Sequence, residues 1–359
     1  MSNIFGLLNV QDYAADRTFV NQVGQQIVYD AVQQEIARID EEINRALSVF
    51  VDERTSDFKR RYKLPGSGYM QPGTNQAPPA NTKASGSWDI ALPLLDFQDA
   101  VGGNRVQMAY MSVKDLNIHL DSLQIRAANS VRREILRALF NNTTWSFQDE
   151  IHGVLSVVPL ANNDGTLYPA VVSSDTEAQD NHYLVSGYAA SSISDTNDPI
   201  KSIVAEIYEH FGYGDNLVVF INSAQTAKVL ALAMVEEVGD KFIVPGANTA
   251  QVIGLPAGLP GRIKGRHSSG AWIVEWDRVP ANYMVGVHMD APKPIIERVD
   301  PPETGLPSGL TLVARDEEFP LESAYYQMRR GFGVGNRLNG CVMFLDSGST
   351  YTVPSAYGR

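Results

Sequence analysis

LTLVARDEEFPLESAYYQMRRGFGVGNRLNGCVMFL, residues 310–345, holds three glycines at alternate positions, Gly331, Gly333 and Gly335, beside Arg329, Arg330 and Arg337. Loops that cradle phosphate have such a composition, and so do strands that let another backbone come close. A dinucleotide loop needs GxGxxG after a strand and at the start of a helix, so that the helix N-terminus faces the pyrophosphate. Counting from Gly331 puts Asn336 at the third glycine position, and counting from Gly333 puts Leu338 there. The next run, GCVMFL, has the pattern of a strand rather than a helix. The stretch therefore reads as consecutive β-strands, with the three glycines on one strand face forming a strip without side chains.

Reading outward, YMVGVHM and PIIERV extend this β region upstream, so that about the last 70 residues are β. Before them DPIKSIVAEIYEHFG has Asp198 as N-cap, Pro199 at the first helical position and Gly212 as the stop. A buried-strand run, LVVFIN, and a second helix, SAQTAKVLALAMVEEVG, come next. GLPAGLPGRIKGRHSSGAWIVEW is then a glycine and proline loop returning to a strand. Residues 160–197 are polar and irregular, as in an insertion or a lobe boundary. A long helix is expected near 119–141, with Asp121 as N-cap and Ala128, Val131, Ile135, Ala138 and Leu139 on its apolar face. Arg126, Arg132, Arg133 and Arg137 line it and are expected to pair with nearby carboxylates on a solvated face. Between 88 and 113, two strand-like runs flank a turn at Gly102 and Gly103, which predicts a long hairpin. The Pro- and Gly-rich residues 62–87 lead into it without a core of their own. Val32, Ile36, Ile39, Ile43, Ala46 and Phe50 give 28–54 the seam of an amphipathic helix.

The chain has 359 residues, which favours two lobes over one core. It is 44% hydrophobic and 19% charged, and no segment reaches the ~18 apolar residues of a membrane span. The first residues lack the basic and apolar blocks of a secretory signal. The single cysteine, Cys341, lies in an apolar run and makes no intramolecular disulfide, which fits a reducing cytoplasm. A net charge of −12 opposes loose electrostatic binding to DNA, although a local basic face is compatible with it.

Catalytic signatures are missing. There is no GxxxxGK[ST] loop and no GxSxG elbow. The six histidines, His119, His152, His182, His210, His267 and His288, include no pair three or four apart and have no cysteine partner. Glu317 and Glu318 are adjacent, so on a strand they point to opposite faces. No catalytic, cofactor-binding or metal-binding residue is assigned, no cofactor is expected, and the weight falls on a structural protein rather than an enzyme.

The order of elements resembles the major capsid proteins of tailed bacteriophages, the Hong Kong 97 fold also used by encapsulin shells. YKLPGSGYMQPGTNQ through AYMS, residues 62–112, is similar to the extended E-loop, and 119–141 to the spine helix. IHGVL, 151–155, resembles the turn after that helix. GLPAGLPGRIKGRHSSGAWIVEWDR resembles the family's "G-L-P-V" stretch, and 310–345 its closing strands. The resemblance implies an α+β fold divided into an N-terminal arm and helix (1–61), an E-loop (62–112), a first part of the P domain (113–160), an A domain with an insertion (161–290) and a second part of the P domain (291–359). It implies a structural subunit that self-assembles as pentamers and hexamers into an icosahedral shell, made in the host cytoplasm and ending as the virion capsid. Packaged double-stranded DNA would meet the inner face non-specifically, near Arg17, Arg126, Arg132 and Arg133. The glycine strip and its arginines would then lie at an interface or wall. Only some 60 residues precede the E-loop, so a separate scaffolding protein is expected, with a portal and decoration proteins as further partners and no membrane. Lys63 and Lys83 lie in the E-loop, but DPPETGLPSGLT contains no Asn, which disfavours the isopeptide cross-link of the founding member. An encapsulin-type compartment and an α/β enzyme with a scattered site are the alternatives, told apart by particle content and by a well-formed pocket.

Overall fold

The computed structural model describes residues 48–70, 73, 86–104, 110, 112–212, 216–237, 259–306, 309–316 and 321–359. The expected arm, the helix of 28–54 up to residue 47, Arg17, Lys83, Glu317 and Glu318 lie outside the described residues. In chain order come β1 (Val51–Thr55), β2 (Lys59–Leu64), β3 (Gly86–Ala91), β4 (Leu95–Asn104), helix α1 (Val113–Phe140), β5 (Trp145–Asp149), β6 (Gly153–Val157) and β7 (Tyr183–Val185). Next are α2 (Pro199–Phe211), β8 (Leu217–Ile221), α3 (Ser223–Leu230), β9 (Val235–Glu237), β10 (Arg262–His267), β11 (Trp272–Glu275) and β12 (Tyr283–His288). The chain finishes with β13 (Ile295–Arg298), β14 (Thr311–Asp316), β15 (Leu321–Val334) and β16 (Cys341–Phe344). The described residues divide into two compact units, a smaller one within 94–132 and 299–330 and a larger one within 48–93, 133–298 and 331–359.

The larger unit is organised by a seven-stranded sheet in the order β7-β16-β12-β8-β11-β10-β9. All five residues of β8, LVVFI, are buried, as expected for a central strand covered on both faces. Helix α2 covers this sheet because Ile200, Ile203, Val204, Ile207 and Tyr208 repeat at helical spacing and are all buried. Its ends match the sequence expectation. The Asp198 carboxylate accepts from the N–H groups of Ile200 and Lys201, Pro199 opens the helix, and Gly212 closes it at φ 72°. Gly286 on β12 lets α2 approach, since a Cβ there would overlap Ile203. The second helix is shorter than expected: α3 stops at Leu230, and the chain enters β9, which pairs antiparallel with β10. Edge pairing overrides the helical propensity of ALAMVEE.

Two further expectations are corrected. Val51 to Arg54, assigned to a helix, form β1, parallel to β13, and Phe50 is buried against Phe220 and Trp276. The hairpin is formed by β2 and β3, in register from Lys59 opposite Ala91 to Leu64 opposite Gly86, so its connection is 65–85 rather than Gly102 and Gly103. Those two glycines lie inside β4.

In the smaller unit β4 pairs with β15 over ten residue pairs, from Leu95 opposite Arg330 to Asn104 opposite Leu321. A continuous ladder of that length outweighs the roughly 1 kcal/mol that each glycine costs a strand. β14 pairs antiparallel with β15 in the same unit. The last four residues of β15 belong to the larger unit, where Gly331 to Val334 pair with β13. Helix α1 begins at Val113, not near Asp121. Ser112 Oγ accepts from Asp115 N–H while the Asp115 carboxylate accepts from Ser112 N–H, a reciprocal capping box. Of its expected apolar face Ala128, Val131, Ile135 and Leu139 are buried, and Ala138 is partly buried. Among the described residues no helix is long and apolar enough to cross a membrane.

Candidate functional site: the glycine strip and its buried arginines

Gly333 and Gly335 are places where the chain packs on itself. A Cβ at Gly333 would stand 2.7 Å from Leu92 Cδ2, 3.2 Å from Pro93 Cδ and 3.3 Å from the Ala91 carbonyl oxygen. One at Gly335 would overlap the side chain of Ile296. The strip thus seats the end of β3 and the middle of β13, and the small core of Ile90, Leu92 and Ile296 forms beside it.

Two of the flanking arginines, Arg330 and Arg337, are buried within the chain, and Arg329 is partly buried. Arg330 is fully buried. Arg329 donates from Nε to Asp300 Oδ2 at 2.8 Å within the smaller unit. Arg337 is 3% exposed and forks over the start of the irregular segment. Its Nε donates to Pro159 O at 2.7 Å, and Nη2 donates to Asp164 Oδ2 at 2.7 Å and to Leu160 O at 3.2 Å. It also lies 5.7 Å from the centroid of Tyr168, which meets Trp88 edge-on, and Trp88 stacks on Tyr62. Burial pushes the Tyr168 hydroxyl above its ordinary range.

A second arginine anchor sits at the end of β13. Arg298 Nη1 lies 2.8 Å from Asp149 Oδ2 and donates to Leu92 O at 2.8 Å. Asp149 Oδ1 accepts from the N–H groups of Ile151 and His152, shaping the β5–β6 turn that contains IHGVL. On α1, Glu134 is buried and receives both Arg137 Nη1 at 2.9 Å and Arg359 Nη2 at 2.5 Å. Arg359 also stacks over Trp145 at 3.8 Å. Arg126, by contrast, is exposed and pairs with Asp99 at 3.0 Å. Arg126 and Arg137 therefore show the expected pairing with carboxylates.

A Ser–His–Asp chain invisible in the sequence is also present. His267 Nε2 is 2.9 Å from Asp198 Oδ2, and His267 Nδ1 is 2.6 Å from Ser269 Oγ. Asp198 Oδ1 caps α2, and His267 Nδ1 also accepts from Ser269 N–H at 3.2 Å in the β10–β11 turn. Each member thus holds a turn or a helix end. The histidines, isolated by spacing along the chain, are not all isolated in space: His182 and His210 have Nε2 atoms 3.2 Å apart.

No protein-family model and no curated protein matches the chain. Solved structures do. One from Mycobacterium phage Patience is 18% identical, with a TM-score of 0.69 over 98% of each chain. The capsid structure of the cyanophage P-SCSP1u is 10% identical, with a TM-score of 0.50 over 82% of this chain and 86% of that one. The seven-stranded sheet, the long helix and the 14-residue strand β15 together give this chain the α+β fold of a phage capsid subunit.

Proposed function

We propose that the chain is a major capsid protein of the Hong Kong 97 type, a structural subunit rather than an enzyme, that closes into an icosahedral shell around phage double-stranded DNA. The observation that carries this reading is the likeness over 98% of both chains to the structure from a mycobacterium phage, which leaves little of either chain outside the shared fold. Residues 62–112 act as an E-loop reaching a neighbour, α1 and β15 as the spine and floor, and the sheet around β8 as the axial domain of pentamers and hexamers. Exposed Tyr69 and Met70 at the end of the described part of the loop, and Ile151 and Val154 at the β5–β6 turn, supply apolar surface for such contacts. Each contact is weak in one copy, and many at once in a closed shell raise the effective concentration. The reading includes a separate scaffolding protein, a portal and decoration proteins, assembly in the host cytoplasm and non-specific contact with DNA.

Electron microscopy of the purified chain, expressed alone and with the neighbouring genes of its source, tests this. Closed shells or capsomer rings are expected. A compact monomer under all conditions, including with those genes, overturns the reading, and shells filled with enzyme instead of DNA reassign it to a cargo compartment.

A further inference from the structure

Five metal-binding side chains from two separate segments meet in the larger unit. Asp180 and His182 precede and abut β7, and Glu206, Glu209 and His210 share one face of the last turns of α2. Asp180 Oδ2 is 3.1 Å from His182 Nε2 and 2.5 Å from His210 Nε2, and the two Nε2 atoms are 3.2 Å apart. A circle through these three atoms has a radius of about 1.7 Å, less than the ~2.0–2.1 Å of a Zn–N bond, so a point at bonding distance from all three exists. Glu209 Oε1 lies 3.8 Å from His210 Nε2 on a side chain that is 39% exposed, within reach of the same point by rotation.

The tautomer of His182 is set for a ligand. Its side chain is fully buried, and Nδ1 is 2.9 Å from the Gly340 carbonyl, which can only accept. A proton therefore sits on Nδ1 and Nε2 is the nitrogen turned to the cluster, the orientation in which a backbone carbonyl holds a ligating imidazole. The backbone around it is fixed, since His182 N–H donates to Ala161 O and Val342 N–H donates to His182 O, both at 2.8 Å. Asp180, Glu206 and Glu209 also place carboxylate oxygens within 4.8 Å of one another beside the two imidazoles.

We propose that His182, His210, Asp180 and Glu209 bind a divalent transition-metal ion, zinc by ligand type, with Glu206 hydrogen-bonded to Asp180 behind them. Two imidazoles with carboxylates suit zinc and disfavour magnesium and calcium, which take oxygen ligands. The ion staples the irregular segment of 160–182 to α2, a link otherwise made by hydrogen bonds such as Val172 N–H to Glu209 O at 2.7 Å.

The test is titration of the chelator-stripped full chain with Zn2+ alone, read by calorimetry, with thermal unfolding measured in parallel. One Zn2+ per chain is expected, with a raised Tm, no comparable binding of Mg2+, and at least a 100-fold weaker affinity in His210→Gln. Absence of stoichiometric Zn2+ binding, equal binding of Mg2+, or unchanged Zn2+ affinity in His210→Gln overturns the proposal and leaves a hydrogen-bond network only. If His210→Gln fails to fold, Glu209→Gln on the surface decides: a tenfold or greater loss of Zn2+ affinity supports the site, and unchanged affinity rejects it.

Discussion

Arg298 and Asp149 form an ion pair at 2.8 Å with both side chains more than nine-tenths buried. One partner ends β13 and the other ends β5, so the pair joins two strands that share no ladder. Removing one member of such a pair leaves an uncompensated buried charge, which costs about 3–5 kcal/mol. Arg298→Met is expected to lower the stability of the chain in guanidinium unfolding by that amount, and adding Asp149→Asn to recover part of it. A single variant as stable as the parent would contradict the assignment.

Asp149 also gives the chain an acid limit. Burial raises its pKa, but the His152 and Ile151 N–H groups and the Arg298 guanidinium outweigh burial and hold the carboxyl below the usual range. A folded-state pKa below the unfolded value of ~3.9 means that the stabilisation is fully present above pH ~4 and is lost as pH falls through the folded value. The stability gap between the parent and Asp149→Asn should therefore shrink as the pH is lowered from about 5 to about 2.5. A gap that stays constant over that range would show that the charge is not what Asp149 contributes.

Gly333 makes a different prediction from the one its sequence context invites. A strip facing a neighbour would make Gly333→Val an assembly defect in a soluble subunit. The 2.7 Å approach to Leu92 Cδ2 makes it a folding defect instead, costing about 1–3 kcal/mol from overpacking. Gly86→Ala is the control, because its nearest neighbour would be Leu64 Cδ2 at 3.6 Å, an ordinary contact. Urea unfolding of the two variants should separate them, Gly86→Ala staying close to the parent.

Arg337→Lys keeps the charge but loses the planar fork that reaches Pro159 O, Leu160 O and Asp164 at once. Limited proteolysis should then cut within 160–180 at least tenfold faster than in the parent, with α2 and β8 still protected. Equal cleavage rates would mean that the clamp is dispensable.

Local signals in the sequence carried the parts of the fold whose causes are local. Asp198, Pro199 and Gly212 bound α2, and LVVFI is a covered strand, because caps and uninterrupted apolar runs act within a few residues. Gly102 and Gly103 misled because their strand is made by a partner more than two hundred residues away. The same holds for ALAMVEE, which the edge of β10 draws out of a helix. The cluster of Asp180, His182, Glu206, Glu209 and His210 was illegible for a related reason: His182 and His210 are 28 positions apart, and only the seating of the 160–182 segment on α2 brings them together. The arginines at 330 and 337 look like surface charge along the sequence, and their burial comes from partners that no spacing rule names.

The place of β16 in the large sheet also sets an order of events in synthesis. It lies between β7 and β12, and its Cys341 and Met343 belong to the main hydrophobic cluster with Ile203, Ile207 and Val219. Until residue 344 has been made, β12 has an open edge and β7 has no partner, so the sheet cannot close on a shorter nascent chain. Such non-local pairing is slow and leaves an edge exposed while it waits. Closure of the large sheet is thereby tied to translation having passed residue 344.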